Sequence, residues 1–355
     1  MTTHRVIVWG TGNVGKAALR AVIADPGLEL AAVIVSQAAK VGRDAGELCG
    51  LPPVGVVATD DVARALAAGA DAVAYCASGD FRPDAALDDV ERCLRAGCSV
   101  VSTALYPLYD PTSAPEELRT RMTDACRTGK ASLFVSGIDP GYINDVIPLL
   151  VSGLCQEIEE IRAFEIFNYE LYAQPDAVRH LVGFGRPLTD TPPMVAPGVP
   201  TMVWGGQVRL IARGLGLALD EIREVVERRP LERDVENRLG SFAAGTQGAL
   251  RFEVQGWIGG KPRIVAEHFT RICDDIAPDW PNVAGGGAHG VRIVGKPSLK
   301  LTIEAEDEHG DRAGGGNATA AARIVHAIPF VCRSEPGLLD ALAVPLPAGR
   351  GLLGV

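Results

Sequence analysis

The chain has no surplus of basic residues. Its 34 Lys and Arg stand against 44 Asp and Glu, a formal net charge of -10. A nucleic-acid backbone is therefore excluded as a partner, because proteins that grip one neutralise its phosphates with excess Lys and Arg. Long apolar runs are also missing: stretches such as Ala31 to Val35 are far below the roughly 18 to 20 residues that span a bilayer, so no membrane segment is expected. The first residues, Met1 to Arg5, lead straight into Val6-Ile7-Val8-Trp9 without a basic region, an apolar stretch and a small-residue cleavage site. A cytoplasmic protein is expected. The eight cysteines (Cys49, Cys76, Cys93, Cys98, Cys126, Cys155, Cys273 and Cys332) form no C-x-x-C pair and no Cys/His spacing suited to zinc. Free thiols buried like small hydrophobes are the reading, with no metal expected.

What the chain does have is size and apolar content. With 355 residues, 47% of them hydrophobic, it is too long for one small core, and two domains are expected. Residues 5 to about 136 alternate short β-rich runs (Arg5 to Trp9, Leu30 to Val35, Ala72 to Tyr75, Ser99 to Ser102, Ser132 to Val135) with helical patterns near Val14 to Ala24, Asp60 to Ala68, Pro83 to Ala96 and Pro115 to Thr128. Strands spaced by helices predict βαβ units and a doubly wound parallel sheet. From about residue 155 the pattern changes to longer strands, Glu160 to Phe167, Ala249 to Ile258, Arg263 to Ile272, Val291 to Val294 and Leu299 to Ala305. These predict an α+β domain with a mainly antiparallel sheet. Helices are expected over Pro175 to Val182 and between Trp204 and Val226, an irregular loop over Pro187 to Pro200, and a last helix over Ala318 to Ala327 after a Gly314-Gly315-Gly316 loop. The expected divisions are 1–145, 146–314 and 315–355, the last returning to the first domain.

The glycines, 41 in all, exceed an average share of about 7%, and no repeat period explains them. The first cluster has a chemical meaning. Gly10-Thr11-Gly12-Asn13-Val14-Gly15 follows the first strand and opens a helix. Gly10 serves the tight turn, Gly12 lets backbone approach a pyrophosphate, and Gly15 permits close helix–strand packing, while the helix N-terminus offers N–H groups to the phosphates. A dinucleotide site is expected here. The acidic residue that would hold the ribose 2′-hydroxyl of NAD is missing: Val35-Ser36-Gln37 takes its place, followed by Lys40 and Arg43. Ser36 with two cations suits the 2′-phosphate of NADP, with NAD as the alternative. Against this, Lys40 and Arg43 also fit a solvated surface shared with Asp44 and Glu47. Ala77-Ser78-Gly79, after the fourth strand, is expected beside the nicotinamide-side ribose.

With these residues, the chain resembles the dihydrodipicolinate-reductase-like superfamily, and within it the branch of 2,4-diaminopentanoate dehydrogenase and the native amine dehydrogenases. The resemblance rests on GTGNVGK at 10–16, KVGRDAGELCG at 40–50, STALYPLYDP at 102–111, SGIDPGYINDVIP at 136–148 and NATAAARIVHAIPFV at 317–331. It implies a Rossmann domain followed by an α+β domain whose sheet commonly makes a homodimer, and reduction of C=N or C=O bonds with NAD(P)H. It also implies that Thr103, Gly141 and Asn144 bind the cofactor, that Tyr142 lies beside the nicotinamide and the substrate, and that Asn317 and Thr319, at the start of the last helix, return to the cofactor. Asp139-Pro140-Gly141 reads as a sharp turn before a helix, and Asn317 as an N-cap.

One departure matters for chemistry. In the amine-dehydrogenase branch, the segment after the fifth strand carries a Glu that handles the amine proton; here Tyr106 and Pro107 stand there. A carboxylate pairs with an ammonium and takes its proton, whereas a phenol with a pKa of about 10 suits a developing alkoxide. The leading expectation is hydride transfer to a C=O or C=N bond of a small to medium apolar substrate, with Tyr106 as catalytic donor, or as plain pocket wall. His268, on the face opposite Glu267 and Phe269, is the imidazole candidate for acid–base work or a structural core residue. Tyr169, Tyr172 and Trp204 are expected as aromatic substrate walls or as core. Two alternatives stay open: an amine dehydrogenase that uses another acid, such as Glu165 or Asp110, and a catalytically silent NAD(P)-binding sensor or partner protein.

Overall fold

The computed structural model describes residues 3–80, 82–172, 174–346, 348–349 and 352. The chain divides into two compact units, one of residues 1–138 with 317–355 and one of residues 139–316. The break falls between Ile138 and Asp139, so the Asp139-Pro140-Gly141 turn through Asp145 is counted with the second unit.

The first unit runs β1 (His4–Trp9), α1 (Asn13–Ala24), β2 (Leu28–Ile34), α2 (Ala45–Leu48), β3 (Ala58–Thr59), α3 (Val62–Leu66), β4 (Ala72–Tyr75), α4 (Pro83–Arg95), β5 (Ser99–Ser102), α5 (Glu116–Gly129) and β6 (Leu133–Val135). Its central strands β4 and β5 are buried along their length, as a parallel sheet covered on both faces requires. On one face Ile7, Val73 and Tyr75 pack with Val90, Leu94 and Met122 from α4 and α5. On the other, Val6, Val8 and Ala74 pack with Leu19 and Val22 of α1 and with Ile324 and Ile328 of the last helix.

The second unit holds α6 (Val146–Ser152), β7 (Glu157–Asn168), α7 (Val199–Gly214), β8 (Glu221–Pro230), a hairpin of β9 (Val235–Asn237) and β10 (Gly240–Phe242), β11 (Gln247–Ile258), β12 (Lys261–Arg271), β13 (Gly287–Lys296) and β14 (Leu299–Ile303). The chain closes with α8 (Arg312–Val331) and β15 (Leu338–Leu339). The first unit's sheet is then β15-β6-β5-β4-β1-β2-β3, parallel throughout. Its order reverses beside β1, and the crevice outside the carboxyl ends of β1 and β4 is where open sheets of this kind take ligands.

The second sheet runs β14-β13-β7-β12-β11-β8. It is antiparallel except for the β7–β12 pair. The register aligns Phe252, His268, Glu165 and His289 as direct neighbours across β11, β12, β7 and β13, which puts their side chains on one face. The helix α7 lies close over β11 because Gly256 leaves room: a Cβ there would stand 2.6 Å from Val208.

Three expectations need correction. The helix expected between Trp204 and Val226 is α7, starting at Val199 and ending at Gly214, and Glu221–Pro230 is a strand. Gly216, in the left-handed region at φ +69, breaks the helical run between them. The loop expected over 187–200 contains a short 3-10 turn at Pro193–Val195, and its end already belongs to α7, with Pro at the first turn. Gly314-Gly315-Gly316 is helical, since α8 begins at Arg312 and the Asp311 carboxylate accepts from Ala313 N at 2.9 Å. These glycines serve close packing: a Cβ on Gly315 would lie 2.4 Å from the Ala305 backbone.

Candidate active site

In the first unit, the turn after β1 has the shape that its glycines require. Gly10 sits at φ +99, and a Cβ there would meet Ala77 N at 2.9 Å; at Gly15 one would meet Gly10 O at 2.0 Å. Only glycine fits either position. A Cβ on Gly12 would meet nothing within 4 Å, so the backbone faces open room at the N-terminus of α1, the space a pyrophosphate needs. Lys40 Nζ reaches over this turn to Thr11 O at 3.0 Å and Thr11 Oγ1 at 3.1 Å. Partial burial and the neighbouring Lys16 and Arg43 lower its pKa. Asp44 does not neutralise the group; its carboxylate accepts backbone N–H from Gly46, Val54 and Gly55. Ser36 is exposed nearby in sequence. The residues present therefore fit a dinucleotide, with a cationic rim on the adenosine side.

After β4, Ser78 Oγ donates to Asp80 at 2.9 Å, and Tyr106 Oη donates to the same carboxylate at 2.8 Å. Tyr106 starts a 3-10 turn, entered through Leu105 at φ +68, and its ring stacks on Tyr109. The Thr103 carbonyl accepts from Tyr109 Oη at 3.4 Å. Asp110 is buried and accepts from Thr112 Oγ1 at 2.7 Å. The phenol of Tyr106 is thus engaged by an acid, and Asp110 holds its own turn.

The second unit gathers a different set. Asp139, whose side chain is 0% exposed, accepts from the Trp204 indole N–H at 2.7 Å through Oδ1, while its Oδ2 has no hydrogen-bond partner. His268 Nε2 lies 3.2 Å from the same Oδ1, off the line of a good hydrogen bond, and His268 Nδ1 lies 3.9 Å from Glu165 Oε1. Glu165 Oε2 meets His289 Nε2 at 3.2 Å, and Tyr169 Oη donates to Glu165 Oε1 at 3.5 Å. Phe252 and Trp204 enclose the His268 ring, with centroids 4.5 and 4.6 Å away. Burial alone would lift the Asp139 carboxyl, but the His268 and His289 imidazoles and the Asn144 amide outweigh it and hold the pKa low. Burial would likewise depress His268, yet Asp139 and Glu165 raise it. Tyr169 is pushed well up by burial and by the Glu165 carboxylate. Asp139, Glu165 and His289 bring ligand-type atoms within 4.8 Å of one another, a donor set that suits a cation.

His268 does lie on the face opposite Glu267, which pairs with Arg162 and Arg251 behind the sheet. Trp204 is buried, and its polar atom holds Asp139. Tyr169 and Tyr172 stack at 5.2 Å, with Phe184 edge-on to Tyr169. Asn144 braces the Gly141 turn, accepting from Gly141 N at 2.8 Å, and half-buried Tyr142 accepts from Ile147 N through its backbone carbonyl. Asn317 and Thr319 lie inside α8, so Asn317 is no N-cap. In the sequence Asp139 reads as a turn residue and His289 carries no signal of its own, because the pattern predicts a strand only from Val291, whereas β13 begins at Gly287. The alternation His289, Val291, Ile293 was the signal available.

The comparisons with known proteins agree with this layout. Residues 4–105 match the family described as dihydrodipicolinate reductase, N-terminus, and residues 142–352 match the 2,4-diaminopentanoate dehydrogenase C-terminal domain. The chain is 57% identical over 352 residues to an amine dehydrogenase of Streptomyces virginiae, covering 98% of each chain. It is 25% identical over 249 residues to 2,4-diaminopentanoate dehydrogenase of Acetoanaerobium sticklandii, covering 69% of this chain and 65% of that one. Among solved structures, the amine dehydrogenase from Mycobacterium smegmatis superposes with a TM-score of 0.79 at 19% identity, over 99% of this chain and 98% of that one, a likeness of fold.

Proposed function

Because the chain belongs to the 2,4-diaminopentanoate dehydrogenase branch of the dihydrodipicolinate-reductase-like NAD(P)-dependent oxidoreductases, we propose that it is an amine dehydrogenase. It interconverts a primary amine with the matching ketone or aldehyde and ammonia, and prefers NADP(H). One observation carries this reading over plain carbonyl reduction: the second unit collects two carboxylates, Asp139 and Glu165, with two imidazoles in one enclosed cluster. Such a cluster attracts a cationic nitrogen and can exchange its proton. The full-length similarity to an amine dehydrogenase supports the same choice.

When bound, the nicotinamide supplies or accepts the hydride. The chain's own residues do the rest. Gly10, Gly12 and Gly15 admit the pyrophosphate, and Lys16, Lys40 and Arg43 favour an additional phosphate on the ribose. The Tyr169–Tyr172 stack with Phe184 gives an aromatic wall for an apolar substrate. Among the described residues, no Arg or Lys pairs with the cluster carboxylates, whose basic neighbours are the titratable imidazoles of His268 and His289.

The test is an NADPH-oxidation assay on small apolar ketones and aldehydes with and without ammonium. Turnover that requires ammonium and yields the primary amine is expected. Equal rates without ammonium, with an alcohol as product, would overturn the reading.

A further inference from the structure

The amine-dehydrogenase reading leaves open which side chain meets the nitrogen. Tyr106 offers no carboxylate, and its hydroxyl donates to Asp80. Asp110 is 1% exposed and bonded within its own turn. Asp139 is enclosed, with one oxygen taken by the Trp204 indole and the His268 ring alongside. Glu165 differs from these. Its side chain keeps 13% exposure while standing in the middle of the cross-strand row. It is steered from both sides, by His289 at one oxygen and by Tyr169 at the other. Behind it, the unpartnered Nδ1 of 2%-exposed His268 lies 3.9 Å from Oε1, and a carboxylate oxygen of Asp139 stands within 4.8 Å of one of Glu165.

Resting on the amine-dehydrogenase reading, we propose that Glu165 is the catalytic carboxylate that exchanges the amine proton, with His289 and Tyr169 as positioning residues and the Asp139–His268 pair as the charge reserve behind it. In the oxidative direction, the substrate ammonium gives one proton to the Glu165 carboxylate and becomes a neutral amine. Its α-carbon then loses a hydride to the oxidised nicotinamide, and the nitrogen lone pair forms the C=N bond. The substrate is oxidised by two electrons and the cofactor reduced by two. Water adds to the iminium carbon, the C–N bond breaks, and carbonyl compound and ammonium leave. The proton on Glu165 is returned to solvent, which closes the balance at one proton released per turnover.

The acid needed for the nitrogen comes from the sheet of the second unit, where neighbouring strands fix its orientation more firmly than a loop does. The groups facing Glu165 are His268 from β12, His289 from β13, Tyr169 from the end of β7, and the Asp139 carboxylate, with an oxygen within 4.8 Å. All four enter its pH response.

The experiment compares the wild type with Glu165→Gln and His289→Gln in ammonium-dependent turnover across pH. Folding is checked by thermal melting and cofactor binding by NADPH fluorescence. Glu165→Gln should lower kcat by roughly 10²- to 10⁴-fold, the usual weight of a general acid–base group, with NADPH affinity kept and the acidic limb of the kcat/KM profile lost. His289→Gln should lower kcat about tenfold and displace that limb, a response that a purely structural role would not give. A wild type active with ammonium and a Glu165→Gln rate within about threefold of it would overturn the assignment alone. A wild type without ammonium-dependent turnover would overturn the assignment together with the reading it rests on. Should Glu165→Gln fail to fold, Tyr169→Phe and His289→Gln decide, and unchanged pH profiles in both would sink the proposal.

Discussion

His268 is enclosed by Trp204, Phe252 and Asp139, and its protonation state bears on stability as well as on chemistry. Its pKa is raised from an ordinary 6.5, so the pairing with Asp139 stabilises the fold fully below about pH 6.5 and is lost as the pH climbs through the raised value. Asp139 has the opposite dependence: held below an ordinary 3.8, its contribution is present above that value and is lost as the pH falls through the depressed one. Melting temperature should therefore decline as the pH climbs above about 6.5 and through the raised value, and His268→Asn should flatten that slope. Identical slopes in the two proteins, read by thermal unfolding, would show that the pair carries no such linkage. The residue scale is also where sequence reasoning was weakest. Asp139 looked like a turn residue because its neighbours are Pro140 and Gly141, and nothing local reveals that Trp204, 65 positions away, donates to it.

At the scale of elements, the second sheet carries opposite chemistries on its two faces. One face bears the row Phe252, His268, Glu165 and His289. On the other, Arg162 bonds Glu253 at 2.7 Å, Glu267 at 3.0 Å and Glu160 at 3.1 Å, while Arg251 pairs with Glu267 at 2.8 Å. The strict alternation of strands makes this separation, since His268 and Glu267 are adjacent in sequence and point apart. Glu253 and Glu267 are almost wholly buried. Removing Arg162 would leave Arg251 alone against the Glu253 and Glu267 carboxylates, so Arg162→Met should destabilise by about 3 kcal/mol, the low end of the cost of breaking a buried ion pair from one side. Urea denaturation measures it, and a loss below about 1 kcal/mol would contradict the network's role. The alternation of β11 and β12 was readable beforehand. That of β8 was not, because Glu221–Pro230 is an edge strand dense in charge, and its pattern competes with a helical one until Gly216 is seen to break the chain direction.

At the scale of the whole molecule, the proposed preference for NADP(H) draws on separated segments: the glycine turn, the end of β2 and the loop before α2. Lys40 reaches back 29 positions to Thr11, and Asp44 turns to backbone amides instead of neutralising it. A double Lys40→Ala, Arg43→Ala protein should lose roughly 10- to 100-fold of the proposed NADPH-over-NADH selectivity, taking about 1.5 to 3 kcal/mol for hydrogen bonds to a charged group. The readout is the ratio of kcat/KM values, and an unchanged ratio would remove these cations from the phosphate site. By itself the sequence determined the two architectures and the nucleotide turn. Periodicity and the steric demands of glycine are local, and they act within a few residues of where they are written. Only the tertiary structure decided which acids and imidazoles meet. The cluster of Asp139, Glu165, His268 and His289 is set by strand order and register, and these depend on how distant segments bury one another rather than on any spacing along the chain.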